Sequence, residues 1–269
     1  MDRLQKALDR ARAERERKVG PASLAAARLV PVNVQDGAIV SRTRTVAVDP
    51  VVLRTNGVMP ADASGTVAQA FKMLRTRVLQ KMRQRGWNTL AVVSAMPKDG
   101  KTFTAINLAI AIAGETEHTT LLVDLDLLNP SVHRRFGIEP EVGIEQCLRG
   151  EAAVSAALLN PQGYPKLRLL PAVKPVAGSS ELLSSACARR IVRELKQRYP
   201  DRMVLFDLPP VLGADDALAF APQVDAALVV VGEDHTRRED LLRCSEILSD
   251  IPVIGTVLNG SRSSLAKYV

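Results

Sequence analysis

The sequence predicts an α/β fold, a mostly parallel sheet with helices on both faces, and three observations carry that prediction. Short apolar runs alternate with helical segments from Asn88 to Asn259. The first run leads into a Gly-Lys-Thr turn, and two later runs end in aspartate. Alternation of this kind implies βα units joined into a parallel sheet, and such sheets bind ligands beyond the carboxyl ends of their strands. With 269 residues and 46% apolar content, the chain can bury one large core without disulfides. Its three cysteines, Cys147, Cys187 and Cys244, form no CxxC pair and signal neither a disulfide framework nor a zinc site. A reducing cytoplasm is the expected location. No apolar run approaches the roughly 20 residues that span a bilayer, and the first twenty residues are charged, unlike a signal peptide. Membrane association is therefore expected to be peripheral and borrowed from a partner.

The net charge of +7 is unevenly spread: residues 1–86 hold 17 Lys and Arg against 7 Asp and Glu, and the rest hold 19 against 22. The basic part is thus the N-terminal arm, which could meet acidic lipid, a partner or nucleic acid. Aromatics at 3% leave little for stacking on bases, so nucleic acid is not the expected partner. Two domains are expected: a basic helix and linker over 1–65, and a phosphate-loop ATPase or kinase domain over 66–269. Met1, Leu4, Leu8 and Ala11 make a narrow apolar stripe on a charged helix, either a docking helix or a frayed surface one. Residues 19–65 carry Pro21, Pro31, Pro50 and Pro60 without periodicity and read as a mobile linker, with one short strand near Thr43 to Val48.

After the linker, Val67, Ala70, Phe71, Leu74, Val78, Leu79 and Met82 fall on one helical face, with Lys72, Arg75, Arg77, Lys81 and Arg85 opposite. Trp87 is expected to seal this helix against the sheet. Buried strands are expected at TLAVVS, TTLLVDLD, LRLLPA, RMVLFDLP, AALVVVG and PVIGTVLN, and helices at 101–114, 144–158, 180–199, 214–221 and 236–249.

The stretch Ala95-Met96-Pro97-Lys98-Asp99-Gly100-Lys101-Thr102 approximates the GxxxxGK[ST] loop, with alanine at the first glycine. That pattern curls backbone N–H groups around phosphates, sends a lysine to the outer phosphates and offers a hydroxyl to magnesium. It follows a five-residue apolar run and precedes an almost wholly apolar helix beginning at Phe103, whose positive end would face the anion. A metal-holding carboxylate should stand on a neighbouring strand tip. Asp207 is one candidate; Asp124 and Asp126, two apart and so on one face of an extended segment, are the others. An unpaired carboxylate is costly at a buried strand end unless a cation or donor replaces its water. His133 reads as a short-helix or packing residue rather than a metal ligand, because no second histidine stands at ligand spacing.

Taken together, SAMPKDGKT, LLVDLDLLNPSVHRRFG and VLFDLPPVLGADDALAFAPQVDAALVVV resemble the bacterial tyrosine kinase family, the cytoplasmic autokinases of exopolysaccharide and capsule export. SSELLSS and VIGTVLN add to the resemblance, which spans about residues 66–260. It implies a Rossmann-like phosphate-loop fold, ATP with Mg²⁺, and a tyrosine acceptor. Residues 96–103 would line the nucleotide, Lys101 would bind the β- and γ-phosphates, and Thr102, Asp126 and Asp207 would hold magnesium. Asp124 would orient or deprotonate the acceptor, and Asn259 matches an adenine-contacting position. The implied partners are a membrane co-polymerase of a polysaccharide export system and further copies of the chain.

Four departures from the family pattern are visible. Lys98 stands where glycine is common, and Leu128 where an arginine follows the acidic pair. The oligomerisation pattern Glu-x-x-Arg-x-x-Arg reads Gln69-x-x-Lys72-x-x-Arg75, and the tyrosine cluster is reduced to Tyr268. Tyr164 and Tyr199 are weaker acceptor candidates. Two other readings stay open: a degenerate ATP-binding regulatory module of the export machinery, and a partition- or site-selection-type switch ATPase. The second usually carries a further lysine where this chain has Met96.

Overall fold

The computed structural model describes residues 43–198 and 201–261. The expected N-terminal helix, most of the expected linker, Tyr199 and Tyr268 lie outside the described residues.

Eight strands form one sheet in the order β1-β4-β5-β3-β6-β2-β7-β8. They are β1 (Arg44–Val46), β2 (Thr89–Ser94), β3 (Thr119–Asp124), β4 (Leu159–Pro161), β5 (Leu167–Leu170), β6 (Arg202–Asp207), β7 (Ala226–Gly232) and β8 (Val253–Asn259). Strand β4 runs antiparallel to β5, and the other pairs are parallel. The expected mostly parallel sheet is therefore present, with β4 as an addition that three residues ending in proline did not announce.

The alternation of side chains builds a core on each face. Ala91, Val93, Leu121, Val123, Val204, Phe206, Ala227 and Val229 point to one side. There they meet α5 (Ile144–Leu148), α7 (Ser179–Leu183), α8 (Ala186–Gln197), α9 (Asp216–Phe220) and α10 (Arg238–Ile247). Leu90, Val92, Leu122, Met203, Leu205, Leu228 and Val230 point to the other. That face is covered by α1 (Pro50–Thr55), α2 (Thr66–Arg85), α3 (Lys101–Ala113) and α4 (Val132–Phe136). A short α6 (Val154–Ala157) precedes β4.

Several expected boundaries shift for local reasons. The expected helix over 144–158 divides into α5 and α6 around Gly150, which sits at φ 78°, a conformation that glycine adopts without strain. The expected helix over 180–199 divides at Ser185, whose side chain accepts a hydrogen bond from the Ala188 amide at 3.1 Å and starts α8 afresh. The expected short strand near Thr43 is β1. The rest of the expected linker up to residue 65 is not featureless. Asp49 caps α1 through the Val51 amide at 2.7 Å, with Pro50 in the first turn, and Leu53 and Val58 enter the core.

Helix α2 buries Phe71, Val78, Leu79 and Met82 as expected, along with Ala68, but Val67 is 56% exposed. It lies in the first turn and lines a surface cavity with Val58 and Phe103 instead of entering the core. Of the expected basic face, Arg75 donates to the Ala111 carbonyl at 3.3 Å and Lys81 to that of Ile254. Those two cations are fastened to the domain, whereas Lys72 and Arg77 are exposed. Trp87 packs beside α2 as expected, with the Arg85 guanidinium 4.7 Å from its ring centroid.

Candidate active site

The phosphate-loop segment leaves β2 at Ser94 and enters α3 at Lys101. Gly100 caps the helix at φ 92° and no side chain caps it, so the first-turn amides of α3 are left for an anion. A Cβ on Gly100 would stand 1.9 Å from the Asn259 side-chain nitrogen, so this glycine is required by space as well as by φ. Ala95 does not adopt a positive φ, which explains how alanine replaces the pattern's first glycine. Lys98 does adopt one, at 70°, and bears the strain of a side chain in the left-handed region, about 1 kcal/mol. Met96 packs against the core, Pro97 and Lys98 are exposed, and Phe103 turns away to meet Phe71 edge-on at 5.8 Å. Phe103 thus reaches the site by its backbone alone.

Strands β3 and β6 pair in register so that Asp124 lies opposite Asp207. Both tips point to the start of α3. Asp207 accepts from the Thr102 hydroxyl at 2.7 Å, and Asp126 from Lys101 Nζ at 2.6 Å, with Asp207 3.7 Å from the same nitrogen. All five side chains, Lys101, Thr102, Asp124, Asp126 and Asp207, are buried. Three carboxyl groups share this volume with one ammonium group, and their proton affinities follow. Burial raises the Asp207 carboxyl, aided by repulsion from Asp126, and outweighs the lowering by Lys101 and by the Thr102 hydrogen bond. Burial pulls Lys101 down, but Asp207 and Asp126 outweigh it and its pKa is raised. Asp124 is pushed up to about 7 by burial and then by Asp207, against the hydrogen bonds from the Val132 and Ser131 amides, both 2.9 Å long.

One oxygen of Asp207, Oδ1, is buried with no hydrogen-bond partner. A carboxylate oxygen with no hydrogen-bond donor, its nearest charge the Lys101 ammonium at 3.7 Å, beside a threonine hydroxyl is a hard donor set, and it suits a small divalent cation that takes few protein ligands and leaves its other positions to phosphate and water.

Two buried carboxylates near this centre did not stand out as partners in the sequence. Asp216, at the start of α9, is 1% exposed with Oδ1 unpartnered, and burial raises its pKa. Asp99, within the loop itself, is fully buried and bound by Thr236 and His235. An acid following a short apolar run was the signal for Asp207; Asp216 follows a turn and Asp99 sits inside a motif, so neither carried that signal. Asn259 closes on the loop, donating from Nδ2 to the Asp99 carbonyl at 2.9 Å. Tyr164 is buried, donating to the Met59 carbonyl at 2.8 Å, and so is not presented as an acceptor.

No family model matches the chain. Among curated proteins it is 27% identical over 214 residues to the tyrosine-protein kinase YwqD of Bacillus subtilis, covering 79% of this chain and 89% of that protein. It is 31% identical over 209 residues to the succinoglycan biosynthesis transport protein ExoP of Rhizobium meliloti, over 76% of this chain but only 26% of that protein. The kinase domain of Escherichia coli tyrosine kinase ETK superposes with a TM-score of 0.67 at 25% identity, over 73% of this chain and 77% of that one. The cell division ATPase MinD of Pyrococcus furiosus follows at 0.55 and 26%, over 65% and 73%.

Proposed function

We propose, for a chain whose curated relatives include a tyrosine-protein kinase and a succinoglycan biosynthesis transport protein and whose structural neighbours include a tyrosine kinase domain, that it transfers the γ-phosphoryl group of ATP to protein tyrosine. By the same reading it does so in the control of exopolysaccharide or capsule biosynthesis and export. The observation that carries the reading is the convergence of Lys101, Thr102, Asp126 and Asp207 at the uncapped start of α3, with Asp124 beside them. Phosphoryl transfer asks chiefly for positioning and charge neutralisation, and this arrangement offers both.

Thr102, Asp126 and Asp207 would hold Mg²⁺, which when bound neutralises charge on the transferred group. The ammonium of Lys101 rests on Asp126 and moves to the outer phosphates when nucleotide enters, so that the pocket exchanges one set of charge partners for another. The first-turn amides of α3 hold the remaining phosphate oxygens. Asp124, with its carboxyl near neutrality at about 7, takes the hydroxyl proton as the acceptor oxygen bonds to phosphorus, and the ADP oxygen leaves in line. Tyr268 is the acceptor, supplied by another copy of the chain, and a membrane co-polymerase brings the enzyme to the membrane. Among the described residues no helix is long and apolar enough to cross one.

Mass spectrometry of the full chain after incubation with ATP and Mg²⁺ tests the reading. Phosphate on Tyr268 in the wild type and none in Lys101→Met is expected. Nucleotide binding without phosphotyrosine would leave a regulatory ATP-binding module, which the exposed Leu128 beside the acidic tip favours. The switch-ATPase reading has less support, because Met96 packs against the core and offers no cation.

A further inference from the structure

The acids described above hold the phosphate loop from one side only. Strand β2, from which the loop springs, lies between β6 and β7. The acidic tips belong to β3 and β6, so the residues assigned to the metal and outer phosphates stand on that side, and β7 and β8 flank the loop on the other. On that second side the loop is fastened through the Asp99 side chain, with the Asn259 side chain beside it.

Asp99 is fully buried. Its Oδ2 accepts from the Met96 amide at 3.0 Å and so closes the loop on itself. Its Oδ1 accepts from the Thr236 hydroxyl at 2.8 Å and from His235 Nδ1 at 2.7 Å, and facing a carboxylate that nitrogen must carry the proton. Thr236 has one proton and gives it to Asp99, while its oxygen accepts the Gly232 amide at 2.8 Å. The turn from Gly232 to Thr236 is tight: the His235 and Thr236 amides both return to the Gly232 carbonyl, at 3.2 and 3.0 Å, and Asp234 sits at φ 58°. A Cβ on Gly232 would lie 3.0 Å from Asp99 Oδ1, so a side chain at 232 would crowd the carboxylate. The end of β8 joins the same knot, since the Glu233 amide donates to the Asn259 carbonyl at 2.9 Å while the Asn259 side chain donates to the Asp99 carbonyl.

We propose that Asp99, through Thr236 and His235, is a positioning residue that straps the phosphate loop to the β7–α10 turn and holds the cradle in its anion-binding shape before nucleotide arrives. The inference rests on reading this loop as a nucleotide site. A buried carboxylate with three donors is a strong fastening, and it is needed here because the loop contains two consecutive costs: Lys98 at positive φ, and first-turn amides of α3 facing one way. Without the strap the loop relaxes, and binding must then restore its shape at the expense of affinity. The side chain of His235 is 47% exposed, making it the solvent-facing end of the strap.

The test uses the full chain carrying His235→Ala and Thr236→Val together; neither residue is itself assigned to phosphate, metal or acceptor, and both meet the loop only through Asp99. Calorimetric ADP affinity is expected to fall about tenfold, the scale of one lost charge-assisted hydrogen bond. Hydrogen exchange of the nucleotide-free protein is expected to quicken over residues 96–101, and His235→Ala with Thr236→Ser should recover most of both. Unchanged exchange over 96–101, or an ADP affinity within about twofold of wild type despite a lowered melting temperature, overturns the strap. A wild-type protein that binds neither ADP nor ATP would instead sink the function proposed above, and the exchange measurement would still judge the strap.

Discussion

Asp124 shows how much one side chain in this site is asked to do. Its Oδ2 accepts two backbone amides, those of Ser131 and Val132, and its Oδ1 accepts that of Asp126 at 3.2 Å. The same carboxylate that is proposed to take a proton therefore also folds the loop from β3 into α4. Asp124→Asn separates these duties badly, since a side-chain NH₂ must face N–H donors on one side or the other. Stability is expected to drop by about 2 kcal/mol, the cost of buried amides left without acceptors, and phosphotyrosine formation to disappear; thermal melting and mass spectrometry on the same sample read both. A drop in activity without a drop in melting temperature would show that the backbone bonds carry little. Lys98→Gly goes the other way. With φ at 70°, glycine removes about 1 kcal/mol of strain, and chemical denaturation should show a gain of that order. No gain would mean that the Lys98 side chain contributes compensating contacts.

At the scale of elements, the end of the sheet opposite the site is held by a clamp that no sequence pattern announced. Asp225, just before β7, accepts the Asn88 and Thr89 amides at 3.1 Å each and the Thr89 hydroxyl at 2.7 Å, and it pairs with Lys196 of α8. It thereby joins β7 and α8 to β2, the strand that carries the phosphate loop at its other end. Burial pushes its carboxyl up, but the bonds from Lys196, Thr89 and Asn88 outweigh burial and hold it below the usual carboxylate value. A depressed folded-state pKa gives stability that is full above the unfolded value, about 3.9, and is lost as pH falls through the lower folded value. Asp225→Asn is expected to cost about 3 kcal/mol at neutral pH through its lost charged hydrogen bonds. Urea unfolding across pH should show the gap to wild type full above about pH 5 and shrinking below about pH 4. A gap independent of pH would mean that the carboxylate's charge is not what holds the clamp.

Across the whole molecule, what the sequence disclosed depended on whether the physics was periodic or three-dimensional. Strands β2, β3, β6 and β7 are buried on both faces, so each is a continuous apolar run, and the aspartates ending two of them stand out because a charge there breaks the run. Strand β4 and helix α1 are three and six residues long; their positions come from pairing with β1 and β5 and from the Asp49 cap, which no period records. Asp99 was visible as part of the loop, but its partners His235 and Thr236 are over a hundred residues away, and only the order β2-β7 brings them near. The site also has a global charge imbalance that can be measured. Asp124, Asp126 and Asp207 surround one cation, Lys101, and burial opposes ionisation of Asp124 and Asp207 while the site is without a second. A nucleotide alone would draw Lys101 from the acids and worsen their repulsion, whereas a divalent cation alone would find two or three carboxylate oxygens and no phosphate. The two should therefore bind together far better than separately. In scanning calorimetry, ADP with Mg²⁺ at about a hundredfold its dissociation constant should stabilise the chain by about 2.7 kcal/mol. ADP with chelator and Mg²⁺ alone should each give only a small part of that, and Asp207→Asn should erase the difference between ADP with and without Mg²⁺. Equal stabilisation by ADP in the presence and absence of the metal would mean that the acidic tips serve Lys101 alone, and the metal assignment of Thr102, Asp126 and Asp207 would fall.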